Sequence, residues 1–223
     1  MSLSRRHLLA SFVAAPVAGL AAPAPGRFKV SLAEWSIHKA TQKGKLTNLD
    51  FPRIAKENDC EGLEFVNTLW GSPTAGYISR LKRRMSDTGT KAVLIMVDDE
   101  GMMGHSDKAQ RMKAVKNHHK WVDAAVEVGA HSIRTNMYPE KQPTTPAEID
   151  AFLGYCAESF TALCGYAKTA GINVIIENHG GISSNPDVVL SLMKKVALPN
   201  FGTLPDFGNF PKEIDRYAAV TKL

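Results

Sequence analysis

The sequence predicts an α/β fold of parallel strands, of the (β/α)8-barrel type. Three observations carry this expectation. β-rich runs recur every thirty to forty residues or so, the length of one strand, one helix and two loops. The runs are apolar at consecutive positions, as in Val93-Leu94-Ile95-Met96-Val97 and Val174-Ile175-Ile176, the pattern of strands covered on both faces. Polar residues gather at the ends of nearly every run instead of at one crevice, and no GxGxxG follows the first strand. An open doubly wound sheet is the competing architecture, and the last observation favours the barrel.

The expected strands are Phe28 to Ala33, Gly62 to Val66, Ala92 to Val97, Ser132 to Met137, Asn173 to Glu177 and Phe201 to Leu204. Helical stretches separate them. Asp50 is placed to cap the stretch through Ile54 and Ala55, and residues 75–85 put Ile78, Leu81 and Met85 on one face. Ser106 or Asp107 opens a long helix that Gly129 closes. Thr145-Pro146-Ala147-Glu148 has the form of a capping box with proline in the first turn, and Gly171 ends that helix. Asn185-Pro186-Asp187 starts the next, and residues 213–222 form a last short one. The mid-helix His118 and His119 are expected at the surface.

Strict alternation without a composition break argues for one domain over residues 27–223. About six βα units are countable in 223 residues, whereas eight units typically take about 250. The barrel is therefore expected to be incomplete, lacking its last two units and exposing unpaired strand edges, which makes a homo-oligomer a further expectation.

Residues 1–26 have the layout of an export signal. Arg5 and Arg6 precede an uncharged run from Leu8 to Leu20, followed by small residues, and the paired arginines resemble the twin-arginine type. The run is too short for a comfortable membrane span, so an exported, periplasmic location without stable membrane insertion is expected. Without Arg5 and Arg6 the formal charge of +5 falls to +3, spread among acidic residues with no basic stripe, which argues against nucleic acid. Cys60, Cys156 and Cys164 are irregularly spaced with no CxxC, and read as buried thiols.

Side chains at the C-terminal ends of barrel strands converge on one face. Strand by strand these are Glu34, Trp35 and His38; Glu64 and Asn67; Asp98, Asp99 and Glu100; Arg134 and Asn136; Glu177, Asn178 and His179; Asp206 and Asn209. Of the Asp98–Glu100 trio, one is expected to point inward and the others to be solvated. Carboxylates gathered this way repel one another unless a cation or proton compensates, so their density points to a divalent ion in a hydrophilic pocket. Trp35 suits a sugar-stacking wall. Arg134 could pair with Glu64 or Glu177, or hold a hydroxylated substrate. No GxSxG, HExxH or P-loop occurs.

Six motifs in order, from Ser31-Leu32-Ala33-Glu34-Trp35-Ser36-Ile37-His38 through Gly62-Leu63-Glu64-Phe65-Val66-Asn67, Met96-Val97-Asp98-Asp99-Glu100-Gly101 and Ile133-Arg134-Thr135-Asn136 to Ile176-Glu177-Asn178-His179-Gly180-Gly181 and Leu204-Pro205-Asp206-Phe207-Gly208-Asn209, give the chain a resemblance. It resembles the sugar phosphate isomerase/epimerase family, the xylose isomerase-like barrels that also include endonuclease IV-type enzymes. The resemblance implies a divalent ion (Mn²⁺, Mg²⁺, Co²⁺ or Zn²⁺) held by a Glu of the fifth strand, an Asp of the sixth, a His of the seventh and a Glu of the eighth. Glu177 and Asp206 match the first two. It also implies proton transfer next to a sugar carbonyl, with Glu177 as acid/base and metal ligand. Trp35, His38, Glu64, Arg134, Asn136, His179 and Asn209 would contact the carbohydrate. The alternative is a catalytically silent carbohydrate-binding relic. An endonuclease role is disfavoured by the export signal and by the lack of the several histidines that a trinuclear zinc site takes.

Overall fold

The computed structural model describes residues 29–223, so the export-type segment at 1–26 and Phe28 lie outside the described residues. Six strands form one parallel sheet: β1 (Ser31–Ala33), β2 (Gly62–Val66), β3 (Lys91–Met96), β4 (Ser132–Thr135), β5 (Asn173–Glu177) and β6 (Phe201–Leu204). Their order across the sheet is their order along the chain. A doubly wound sheet reverses its strand order at a switch point, whereas a barrel winds in one direction, so the sequential order decides between them. The helices are α1 (His38–Gln42), α2 (Phe51–Glu57), α3 (Ala75–Thr88), α4 (Lys108–Val128), α5 (Pro146–Thr169), α6 (Pro186–Val196) and α7 (Arg216–Lys222). Among the described residues, no helix is long and apolar enough to cross a membrane.

The local signals act as their chemistry dictates. The Asp107 carboxylate accepts from the backbone N–H of Gln110 at the head of α4 (2.9 Å). Thr145 and Glu148 form the reciprocal capping box on α5, and Asn185 caps α6. Asp50 instead closes a capping box with Thr47 on the turn ahead of α2.

Along each strand, alternate residues face opposite layers. Leu63, Phe65, Ile95, Val97, Ile133, Val174 and Ile176 meet Leu81, Val122, Phe160, Leu163 and Leu192 of the helices in the main core. Each fully buried side chain of this kind contributes about 1.5–3 kcal/mol. The other face carries a smaller cluster of Val66, Leu69, Leu94 and Met96, with Ala33, Ile175 and Leu204 packed on it. That cluster is the floor under the polar strand ends.

Three expectations need correction. His118 is buried, not at the surface: Nδ1 meets the Ala114 carbonyl (2.8 Å) and Nε2 meets Thr135 Oγ1 (3.0 Å), which joins α4 to β4. Burial also pushes its pKa down. Glu34 is fully buried instead of lining the cavity at the strand ends described below; its oxygens accept from Asn48 Nδ2 (2.8 Å) and the Val66 N–H (2.9 Å). Glu100 is not solvated, since Oε1 accepts from Trp121 Nε1 (2.6 Å) and pairs with Lys120 (2.7 Å). Cys156 and Cys164 are buried thiols, and Cys60 is half-buried.

Candidate functional site

Glu177 is the last residue of β5. The alternation that buries Val174 and Ile176 under the helices turns its carboxylate to the helix-free face. There Oε2 lies 2.9 Å from Arg134 Nε, and Oε1 accepts from Asn209 Nδ2 (3.2 Å). The Arg134 Nε–H lacks a well-aligned acceptor, so this contact is an ion pair more than a hydrogen bond. Arg134 Nη1 reaches Asp98 Oδ1 (2.6 Å), which also accepts from Asn136 Nδ2 (2.8 Å). One buried guanidinium thus serves two carboxylates.

Burial raises the pKa of Glu177 above the 4.5 of an ordinary glutamate. Arg134 and His179 oppose the rise, while the Asp206 carboxyl, within hydrogen-bond reach, adds to it. Two acids facing each other in a partly dry pocket share a deficit of positive charge that Arg134 only partly fills.

A repeated device sets the acidic residues in place. Asn178, directly after β5, donates from Nδ2 to the Asp206 carbonyl (2.8 Å) and accepts the Asp206 N–H on Oδ1 (2.6 Å). Asn67, directly after β2, holds Asp98 in the same way, at 2.9 and 2.8 Å. In both cases the amide after one strand grips the backbone of an aspartate two residues beyond the next strand. Their positions at strand ends are legible in the sequence, but their grip on backbone is not. Glu64 accepts from Ser31 Oγ and reaches the same face, where a register shift between Leu63 and Glu64 breaks the regular β2–β3 pairing.

The cavity over this face has a volume of about 590 Å³, lined by Trp35, Glu64, Asp98, Arg134, Glu177, His179, Asp206 and Asn209 above an apolar floor of Ala33, Val66, Met96 and Leu204. Two expected contact residues stand back from it. His38 lies behind Trp35, stacked on it at 4.2 Å, and Asn136 is spent on Asp98. His179 is at the rim, its Nδ1 against the Tyr138 hydroxyl (2.5 Å), while Gly180 and Gly181 take positive φ (92° and 57°) to turn the chain back. Tyr138, Pro205 and Phe207 join the mouth without having been singled out, although Pro205 and Phe207 lie within the last strand-end motif and Tyr138 two residues beyond Asn136.

Among the described residues, no group of three or more His, Cys, Asp or Glu converges as a metal cage. The Glu177–Asp206 pair nevertheless supplies hard carboxylate oxygens, the donors that Mg²⁺ takes from one or two carboxylates alongside water and substrate. The pair fits such an ion in donor type. It does not make a nitrogen- or sulfur-rich zinc centre.

The sequence profile of the xylose isomerase-like TIM barrel matches residues 52–220. The chain belongs to the xylose isomerase-like TIM barrel family. No curated protein matches it in sequence. Among solved structures, this xylose isomerase-like barrel is similar to the apo form of 3-keto-D-glucoside 4-epimerase from E. coli, with 21% identity and a TM-score of 0.65 over 78% of this chain and 68% of that one. A xylose isomerase-like TIM barrel protein from Mycobacterium smegmatis, in complex with magnesium, shares 19% identity at a TM-score of 0.57, covering 76% of this chain and 61% of that one. D-psicose 3-epimerase with D-tagatose, from Clostridium cellulolyticum H10, shares 13% identity at a TM-score of 0.69, covering 87% and 69%. The chain thus spans between three fifths and about two thirds of these relatives' lengths. At such identities the likeness is one of fold.

Proposed function

We propose that the cavity is the site of a sugar isomerase or epimerase that moves a proton at the carbon next to a carbonyl. The observation that carries this reading is Glu177: a half-dry carboxylate of raised pKa at a strand end, facing Asp206 and bracketed by Arg134 and Asn209. A base of raised pKa holds an abstracted proton long enough to return it, and works best near the ambient pH. Glu177 takes the proton from the hydroxyl-bearing carbon and returns it to the adjacent, former carbonyl carbon while the hydroxyl proton passes to the other oxygen, so that carbonyl and hydroxyl change places. Inversion at one carbon instead takes a second proton donor on the opposite face of the sugar. Arg134, fixed by Asp98, keeps the carboxylate oriented. Glu64, His179 and Asn209 offer acceptors and donors to the hydroxyls, and Trp35 walls the ring.

A divalent ion on Glu177 and Asp206, when bound, would polarise a substrate oxygen as a Lewis acid. The magnesium complex of a protein with this fold supports that choice of ion. The epimerases among the similar folds support the reaction class. On the strength of Arg5-Arg6 and the apolar run after them, we also propose that the protein acts outside the cytoplasm.

The test is turnover of D-fructose, D-tagatose and D-psicose, followed by chromatography with Mg²⁺ or Mn²⁺ present. At least one ketose should be converted, and Glu177→Gln should lower that rate by on the order of a hundredfold or more. Binding without conversion would leave the silent, binding-only reading. Conversion undiminished in Glu177→Gln would remove Glu177 from the chemistry.

A further inference from the structure

The cavity over Glu177 continues outward. Past Trp35, Asp98 and His179 a second hollow of about 630 Å³ opens, walled also by Gln42, Met102 and Tyr138. Trp35, Asp98 and His179 line both hollows, so the two share a wall. Each hollow alone lies within the roughly 300–1,000 Å³ of small-molecule sites. A single sugar ring placed over Glu177 leaves the outer one unfilled.

The outer hollow has the surface a sugar ring needs. Trp35, Met102 and Tyr138 line it and are 48%, 42% and 37% exposed, and Phe207, 54% exposed, lines the inner cavity next to it. Exposed apolar groups gathered in one place mark a binding surface. Two of them are held rigid: Trp35 lies parallel to His38 with an interplanar angle of 3°, and the Tyr138 hydroxyl is bound to His179. Flat, fixed aromatic faces receive the C–H face of a pyranose with little loss of side-chain freedom. Charge narrows the ligand further. Among the described residues, no Lys or Arg lines the outer hollow, Asp98 and Asp99 do, and Arg134, the one Lys or Arg of the inner cavity, is already paired with two carboxylates. A phosphate would meet acid there and no free base.

We propose that the outer hollow is a subsite for a second, uncharged ring, so that the substrate class is a neutral glycoside or disaccharide rather than a free or phosphorylated monosaccharide. This rests on the sugar-handling function proposed above. The carbonyl-bearing ring would sit over Glu177, and its glycosidic partner would lie between Trp35, Met102 and Tyr138.

Calorimetric titration of the full chain with D-fructose, D-fructose 6-phosphate, maltulose (4-O-glucosyl-fructose) and isomaltulose (6-O-glucosyl-fructose) tests it. At least one disaccharide should bind about tenfold tighter than D-fructose, and the phosphate ester weaker than D-fructose. Met102→Asp, at an exposed position away from Glu177, should erase the disaccharide's advantage and leave D-fructose binding unchanged. D-fructose binding as tightly as both disaccharides, the phosphate ester binding tightest, or Met102→Asp weakening all ligands alike would each overturn the subsite while sparing the function. No binding by any of the four would overturn both.

Discussion

Glu34 and Glu177 are both glutamates at strand ends, and the sequence presents them alike. Their environments separate them. Glu34 is fully enclosed, and burial pushes its pKa up to about 7 against the opposing bonds from Val66 and Asn48. Its unfolded-state value is near 4.5, so between the two the folded chain holds a proton that the unfolded chain releases. Its contribution to stability is full below the lower value and is lost as pH rises through about 7, a fall on the order of 3 kcal/mol. Urea unfolding of Glu34→Gln from pH 4 to 8 should lack this share of the slope; profiles that run parallel would refute the assignment. Glu177 was readable because Ile175-Ile176 fixes the strand and the carboxylate ends it. Glu34 was misread because Ala33 to Ile37 leaves the strand in a tight turn, which sends the side chain beneath the sheet end instead of over it. Glu100 escaped for a related reason. Asp99 takes φ of 60°, which breaks the alternation that would otherwise say where each carboxylate of the trio points.

Elements were legible where their signals are local. Thr145, Asp107 and Asn185 cap helices through hydrogen bonds two or three residues away, and such bonds depend on little beyond the neighbouring sequence. The asparagine clamps are the contrary case. Asn67 and Asn178 bind backbone 31 and 28 residues away, which only the assembled sheet brings near. His118 was missed likewise, since its partner Thr135 belongs to β4 and only the docking of α4 covers it. Asn178→Ala should cost about 1–3 kcal/mol by leaving the Asp206 backbone unpaired. It should also slow turnover by about tenfold to a hundredfold through displacement of Asp206, with kcat falling more than KM rises. Asn178→Ala with wild-type kcat would show that the clamp is structural only.

At the scale of the molecule, the strand spacing and the doubly apolar runs foretold a parallel α/β sheet of six strands, and the sequential order realises the barrel's winding. That order brings Glu64, Arg134, Glu177 and Asp206, from in or just beyond four different strands, to one cavity. Periodicity announces strands one at a time and says nothing of how far each side chain reaches across. The Arg134 bridge between Asp98 and Glu177 is therefore a property of the whole sheet, as is the outer hollow beyond Trp35. The claim that binds these scales together is that Glu177 exchanges a proton with carbon in this cavity. Deuterium wash-in from heavy water into the carbon next to the carbonyl of a bound ketose, followed by proton NMR, measures that event even where net conversion is slow. Wild-type protein should exchange this hydrogen, and Glu177→Gln should not. Exchange that persists in Glu177→Gln, or none in the wild type with any sugar that binds, would contradict the account.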